Sequence, residues 1–470
     1  MKLIYFFIIS ILSLFLYLFA PDKYDFNFCV TVFILFIVSG VLQIIEDLKE
    51  HNNFFNFYVL FFISFLYVNF VYPIFIFPTD PDYFPVFKFF KFDSNLMSKT
   101  TALAQLGFSF YCLGVSFFSV IKKPKINKSK MELNLSLKDV IIYKYIINIL
   151  TFLFLFLCIS IFFIARDGIF SRDPFAFEET PPALIVFSQV VLTICILLSF
   201  LRINYFEENK SFWSVLRFNK ILLISILLFL FMFIYPGDRG PAIQVVLTFI
   251  FCYSIFVKPI KFKLFLFIVL IGMFVLTFIS YARINMDVGI GNGGNEGAKI
   301  GSLTDIGMDL IVNNRNLYVG YEIAEKQGLN YGKSMFYYIF SPFPMLPSYV
   351  SGELFDAEPM ELATSTIITE YSKANYGLGT NLIIDLYMQF GVLGVLIFMF
   401  ILGYFIANVS NRKSIIAILS FTFFMSYSIY IPRSSMFDSI RFIVWSITVY
   451  YIFYYFFNPG VKNKLHGTTI

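Results

Sequence analysis

The stretch ILLISILLFLFMFIYPGDRGPAIQVVLTFIFCYSIFV, residues 221–257, places a short polar turn between two strongly apolar runs. Across the 470 residues, 59% are hydrophobic and only 14% are charged. A soluble domain carries about 25% charged residues, so this composition cannot supply a surface that faces water on all sides. Because apolar runs near 20 residues suit membrane helices better than barrel strands, the sequence predicts an all-α polytopic integral membrane protein.

Apolar runs between polar breaks predict about twelve transmembrane helices. Basic residues concentrate in alternate loops, including KKPKINKSK at 122–130 and KPIKFK at 258–263. Since the Lys and Arg residues of short loops mark the cytoplasmic side, this alternation predicts that both termini are cytoplasmic. The predicted spans are 3–20, 26–46, 54–78, 100–121, 140–165, 183–201, 221–235, 241–257, 264–280, 381–407, 414–431 and 441–457.

One predicted external segment is much longer than the other external loops. It includes the glycine-rich run VGIGNGGNEGAKIGS at 288–302, an amphipathic helix candidate within 305–328 and the aromatic run SMFYYIFSPFPMLPSYV at 334–350. We expect short amphipathic or interfacial helices here, and also function, because long loops among tight connections are commonly functional. The predicted organisation is a nine-span membrane region at 1–280, a large periplasmic or external loop at 281–380, a three-span membrane region at 381–457 and a cytoplasmic tail at 458–470.

The turn between the two opening runs carries the adjacent charges Asp238 and Arg239. Both flanking spans are shorter than the ~20 residues that a bilayer core requires, so we expect the turn to lie at or below the external headgroup level. One interpretation is a polar hairpin with a snorkelling arginine, and the other is a cation that holds an anionic substrate at the membrane surface. Asp238 has three open roles, as a base, as the partner of Arg239 or as a turn residue, and we favour the partner.

Arginines recur near the predicted external ends of the spans. The planar fork of an arginine binds phosphate oxygens through two parallel hydrogen bonds, which a lysine cannot match. Any one of these arginines alone is equally well explained as an interfacial anchor, whereas convergence of the set favours a pyrophosphate site. The candidate pyrophosphate-binding residues are Arg239, Arg283, Arg315, Arg433 and Arg441.

The candidate catalytic carboxylates are Asp385, Glu370 and Asp238. Asp385 is the most informative, because it lies one turn into a predicted span, where a charge costs about 3 kcal/mol. Near a cationic cluster, such a carboxylate acts either as a base toward a sugar hydroxyl or as the partner of an arginine, and both roles stay open. We find no nucleotide-binding or zinc-ligand motif and expect neither a cofactor nor a metal.

Three stretches carry a resemblance to a known family: GLGTNLIIDLYMQFGVLGVLIFMFILGYF at 377–405, GDRG at 237–240 and IPRSSMF at 431–437. Together with the large external loop followed by three spans, they resemble the Wzy-type O-antigen and capsular polysaccharide polymerases. The resemblance implies a membrane glycosyltransferase in the bacterial cytoplasmic (inner) membrane. It would polymerise oligosaccharide repeat units linked to undecaprenyl pyrophosphate on the outer face of that membrane. It would need no cofactor, because the pyrophosphate bond of the donor is already activated.

The resemblance also indicates roles for residues and partners. Arg239, Arg283 and Arg433 become the strongest candidates for stabilising the pyrophosphate that leaves the donor. The expected partners are undecaprenyl-pyrophosphate-linked glycans and membrane lipid, with a chain-length regulator and a flippase left open and no nucleic acid.

Two alternative functions remain. The first is a lipid-linked oligosaccharide flippase. The clustering of charges at the external face argues against this function. The second is an O-antigen ligase-type glycosyltransferase, whose relatives carry a histidine in the large external loop. Here the two histidines, His51 and His466, lie elsewhere.

Overall fold

The computed structural model describes residues 2–121, 135–171, 176–206, 219–272, 274, 307–374 and 376–458. Across these ranges the chain is helical and contains no β strand. The α helices are α1 (Lys2–Leu18), α2 (Phe26–His51), α3 (Phe57–Asn69), α4 (Pro85–Phe89), α5 (Met97–Ile121), α6 (Leu137–Ser171), α7 (Pro182–Phe206), α8 (Lys220–Ile234), α9 (Gly240–Phe256), α10 (Phe262–Gly272), α11 (Met308–Ile311), α12 (Asn314–Gln327), α13 (Lys333–Phe340), α14 (Leu346–Phe355), α15 (Thr364–Tyr371), α16 (Leu382–Ser410), α17 (Ile415–Tyr427) and α18 (Ile440–Phe457). A π-helical turn at Tyr72–Ile76 and 3₁₀ turns at Ser94–Leu96 and Ile431–Arg433 complete them.

The apolar helices lie at the positions of the predicted spans, whereas residues 275–280 of the ninth predicted span and the glycine-rich run at 288–302 lie outside the described residues. Within the described ranges, six helices are long and apolar enough to cross a membrane, namely α2, α5 with the 3₁₀ turn before it, α6, α7, α16 and α18. The shorter apolar helices α1, α3, α8, α9, α10 and α17 occupy the other predicted positions. The prediction of an all-helical multi-pass membrane protein is therefore confirmed. The number of spans, the side of each terminus and the loop layout stay predictions.

Glycines bring α5 and α16 into backbone contact. A Cβ atom added to Gly403 of α16 would lie 2.0 Å from the carbonyl oxygen of Tyr111 in α5. A Cβ added to Gly114 of α5 would lie 2.1 Å from the carbonyl oxygen of Phe400 in α16. Such close approach is typical of membrane helices, whose association depends on packing rather than on exclusion of water. This contact fixes α16 against the bundle.

A kink divides α16 after its first two turns. Phe390 has φ −140° and Gly391 has φ +63°, both outside the helical range. Gly391 adopts the left-handed region that a residue without a Cβ enters at little cost. The first turns of α16, which carry Asp385, are thereby oriented independently of the part that packs on α5.

Buried amides attach the segment 307–374 to the apolar helices. Asn314 of α12 donates from Nδ2 to the carbonyl oxygen of Asn69 at the end of α3, at 3.1 Å. Asn381, which caps α16, donates from Nδ2 to Asn69 Oδ1 at 2.9 Å. Since buried polar groups are stable only when paired, these bonds define where α12 lies. The helix predicted within 305–328 thus forms as α11 and α12, and Gly320 of α12 packs against Ile384 of α16.

A second attachment lies at the other side of the same segment. Trp445 of α18 donates from Nε1 to the carbonyl oxygen of Pro342, just after α13, at 2.7 Å. A buried indole N–H requires an acceptor, so this bond places α13 beside the beginning of α18. The cavity described next lies at that junction.

Candidate functional site

A cavity of about 320 Å³ lies where α9 and α18 begin. Its wall includes Gly240 and Gln244 of α9, Tyr338 of α13, and Asp438 and Arg441 at the start of α18. The volume falls at the lower end of the range for ligand pockets, ~300–1,000 Å³. The cavity thus brings together the GDRG turn, the last hairpin and the segment between α10 and α16, which are far apart in the sequence.

Two helix N-termini contribute to this wall. α9 begins at Gly240, whose N–H donates to Asp238 Oδ1 at 3.2 Å. α18 begins at Ile440, and its second residue is Arg441, whose Cζ lies 5.9 Å from the ring centre of Trp445. The N-terminus of a helix has unpaired N–H groups and a positive dipole end, so both helices favour an anion near the cavity.

Arg239 and Arg433, here called the arginine pair, meet at one aspartate beside the cavity. Arg239 Nη2 lies 3.0 Å from Asp309 Oδ2, and Arg433 Nη1 donates to the backbone oxygen of Asp309 at 3.0 Å. Tyr430 lies against both arginines, with its ring centre 5.4 Å from Arg433 Cζ. Two arginines selected from the sequence therefore converge.

The other three candidate arginines have different surroundings. Arg441 lines the cavity together with Gly240, the residue that follows Arg239. Arg315 is buried in α12, where Nε donates to Phe90 O at 2.6 Å and Nη2 donates to Ser372 Oγ at 2.8 Å. Burial lowers the pKa of Arg315 to about 10, and it remains cationic at neutral pH. Arg283 lies outside the described residues.

The three candidate carboxylates also separate. Asp385 is fully buried in the first turn of α16, and its oxygens accept hydrogen bonds from Thr364 Oγ1 at 2.6 Å and Ser435 Oγ at 2.8 Å. Glu370 is exposed on α15. Asp238 accepts from the first N–H of α9, while Arg239 pairs with Asp309. Two of the three therefore lie close to the cavity: Asp238 bonds to the wall residue Gly240, and the charge of Asp385 acts on the wall residues Asp438 and Tyr338.

Sequence reasoning missed two acidic residues at this site. Asp309 is the point at which the arginine pair meets. Asp438 lines the cavity, and its pKa is raised to about 7, first by burial and then by the charge of Asp385, while Arg441 opposes the shift. A carboxyl group with a perturbed pKa in a cavity is a candidate functional group. The available signal for Asp438 was its position between Arg433 and Arg441 in the last predicted external hairpin.

Comparisons with known proteins identify the family. The family model described as O-antigen polysaccharide polymerase Wzy matches residues 2–463, nearly the whole chain. Neither a curated protein nor a solved structure gives a match. The resemblance inferred from the sequence is confirmed, and the chain belongs to the O-antigen polysaccharide polymerase Wzy family.

Proposed function

We propose that this polymerase joins oligosaccharide repeat units carried on undecaprenyl pyrophosphate, at the outer face of the bacterial cytoplasmic membrane. Membership of the Wzy family establishes O-antigen polymerisation as the general activity. The observation that carries the finer proposal is the meeting of Arg239 and Arg433 at Asp309, beside a cavity that Arg441 lines. This arrangement suits a ligand with two adjacent phosphates.

The arginine pair binds the pyrophosphate of the donor in this proposal. Each guanidinium can direct two N–H groups at phosphate oxygens, and the N-termini of α9 and α18 add further positive potential. As the bond between the donor sugar and the pyrophosphate breaks, negative charge grows on the departing oxygen. Arg433 is already held by the backbone oxygen of Asp309, and its remaining N–H groups can stabilise that charge in the transition state. No cofactor is required, since the departing group is already activated.

The predicted topology supports the outer face. The beginnings of α9 and α18 lie at the ends opposite the basic loops at 258–263 and 411–413, which the charge rule assigns to the cytoplasm. Exposed apolar side chains along α8, including Ile224, Leu227 and Phe231, offer a surface for lipid tails close to the turn. A lipid carrier would therefore reach the arginine pair from the membrane with its pyrophosphate at the headgroup level.

The test replaces each arginine of the pair in a host that lacks its own polymerase. We expect Arg239→Ala and Arg433→Ala to reach the membrane at normal levels but to lose long polysaccharide chains. Each substitution removes hydrogen bonds to a charged group, which contribute about 1.5–3 kcal/mol each. Arg166→Ala is the matched control, because Arg166 is exposed and pairs with its neighbour Asp167. Polysaccharide is resolved by chain length on gels.

The results distinguish the alternatives. Accumulation of single-repeat glycan in both variants, with long chains from the control, supports the proposal. Normal chain length from both variants would overturn it. Loss of even the single-repeat glycan when the whole gene is deleted would instead indicate a flippase.

A further inference from the structure

Asp438 is the carboxylate that the fold presents to the cavity. It lies in the turn before α18 and shares the cavity wall with Arg441 and Tyr338. None of the sequence-selected carboxylates lines the cavity: Asp385 is fully buried, Glu370 is exposed on α15, and Asp238 accepts from the N–H of Gly240. A general base must reach the hydroxyl whose proton it takes. Asp438 meets that requirement at this cavity.

Asp385 holds the turn that carries Asp438. Ser435 Oγ donates to Asp385 Oδ2 at 2.8 Å, and the backbone N–H of Met436 also donates to the Asp385 carboxylate. The N–H of Asp438 donates in turn to the carbonyl oxygen of Ser435 at 3.3 Å. On its other side, Asp385 accepts from Thr364 Oγ1 at 2.6 Å. Asp385, a buried carboxylate in the first turn of α16, therefore fixes the position of Asp438 and places its own negative charge next to it.

The wall around Asp438 suits a sugar. Tyr337 and Tyr338 from α13, Tyr427 from α17 and Phe442 from α18 supply apolar ring faces, and Gln244 supplies an amide. Binding sites for small molecules commonly combine aromatic surface with a few oriented polar groups. With about 320 Å³, the cavity has room for the terminal sugar of an acceptor rather than for a lipid tail.

We propose that Asp438 is the general base of the polymerase and that Asp385 is its positioning residue. This inference rests on the proposed function, because it assigns the acceptor half of that reaction. The acceptor hydroxyl oxygen forms a bond to the anomeric carbon of the donor, and its proton moves to the Asp438 carboxylate. The bond from that carbon to the pyrophosphate breaks, and its electron pair stays on the departing oxygen, which the arginine pair stabilises. Asp438 then releases the proton to water.

The electrostatics predict how the rate depends on pH. Asp438 acts when it is deprotonated, and its pKa is raised to about 7 by burial and by Asp385. Chain growth should therefore rise as the pH rises through about 7. Replacing Asp385 by Asn removes a like charge, lowers the pKa of Asp438 and moves this rise to lower pH. The ionisable groups near Asp438 are Asp385 of α16, Tyr338 of α13, Tyr427 of α17 and Arg441 of α18.

The experiment measures the initial rate of chain growth between about pH 5 and pH 8, a range in which most folds are stable. Membranes contain the full chain, and the probe is the lipid-linked repeat unit extracted from cells without a polymerase. The variants are Asp438→Asn, Asp438→Glu and Asp385→Asn. Glu353→Gln is the matched control, because Glu353 is an exposed carboxylate of α14 outside the cavity wall.

We expect Asp438→Asn to slow chain growth by about 10²–10⁴-fold, the usual contribution of a general base, and to abolish the rise near neutral pH. Asp438→Glu should retain part of the activity, and its rate of chain growth should still rise with pH. Asp385→Asn should move the rise to lower pH, which a merely structural role would not do. Glu353→Gln should match the wild type in both rate and profile.

Three results would overturn the inference. They are a wild-type rate of chain growth that does not change with pH, a rate equal to wild type in Asp438→Asn, and a rise in rate that occurs at the wild-type pH in Asp385→Asn. If one of the two Asn variants fails to reach the membrane, the pH profiles of the wild type and of Asp438→Glu are used instead. A chain-growth rate that does not rise with pH would again overturn the inference. Failure of the wild type to polymerise the extracted units would refute the proposed function itself. If the wild type polymerises the units but one of the three results is found, the proposed function is retained. The general base is then a residue other than Asp438.

Discussion

Asp309→Asn tests whether Asp309 competes with the donor for Arg239. In the structure the Asp309 carboxylate occupies the Arg239 guanidinium at 3.0 Å. A pyrophosphate that binds Arg239 must displace this carboxylate and lie near its negative charge. The Asn variant keeps the backbone oxygen that accepts from Arg433 and removes only the charge. We therefore expect tighter binding of the donor, the opposite of the effect of Arg239→Ala.

The size of the effect follows from exposure. The side chains of Arg239 and Asp309 are 19% and 48% exposed, so water screens the pair considerably. Ion pairs of this kind contribute about 0.2–1 kcal/mol, which also limits the loss of stability in the variant. At about 1.4 kcal/mol per factor of ten, donor binding should improve by no more than about fivefold. Arg239→Ala should weaken it by more than tenfold, because it removes at least one hydrogen bond to a charged group.

The assay compares KM and kcat for extracted lipid-linked repeat units in membranes that contain equal amounts of each protein. Asp309→Asn should lower KM, and raised salt should reduce the difference from wild type by screening the charge. A KM that rises in Asp309→Asn as it does in Arg239→Ala, at equal membrane level, would show that the carboxylate supports the site. The competition argument would then be wrong.

Two further predictions concern the scaffold of the site. Gly403→Ala should lower the Tm in detergent, because its Cβ would lie 2.0 Å from a backbone oxygen of α5 and overpacking costs about 1–3 kcal/mol. Gly272→Ala, where a Cβ meets nothing within 4 Å, is the control, and equal Tm values for the two variants would contradict the packing argument. Trp445→Phe removes the donor to Pro342 O and should cost about 1 kcal/mol, seen as faster limited proteolysis after α13. An unchanged cleavage rate would show that this bond does not hold α13 in place.

Local pattern was sufficient for part of this molecule. Run lengths located the apolar helices, since each helix must satisfy its own backbone in lipid and leaves a continuous apolar signal. The cost of a charge near the membrane selected Arg239, Arg433 and Asp385 before any contact was known. Arg239 and Arg433 meet at Asp309, and Asp385 bonds to Ser435 in the turn that carries Asp438.

Contacts between distant segments account for what the sequence could not provide. Asp309 pairs with Arg239 because α11 lies against the turn between α8 and α9. The periodicity of the sequence does not indicate that these two segments are close. The oxygens of Asp385 accept hydrogen bonds from the hydroxyls of Thr364 and Ser435, and nothing in the sequence near Asp385 indicated these partners. Arg315 shares the charge and the predicted external location of the other arginines, yet its contacts are with Phe90 and Ser372. Residue type alone could not separate these cases.

Helix length links the scaffold to the chemistry. α8 has 15 residues and α9 has 17, which at 1.5 Å per residue are about 22 and 26 Å long. The hydrocarbon core is about 30 Å thick, so if α8 and α9 both span the membrane as predicted, they draw their turn to the headgroup level or below it. Reduced exposure to water at that depth strengthens the attraction between a guanidinium and a phosphate. In the proposed reaction the pyrophosphate of the lipid carrier meets this turn at the headgroup level. Lengthening α8 by one turn would raise Arg239 by about 5.4 Å and separate it from the carrier even if every side chain of the site were kept.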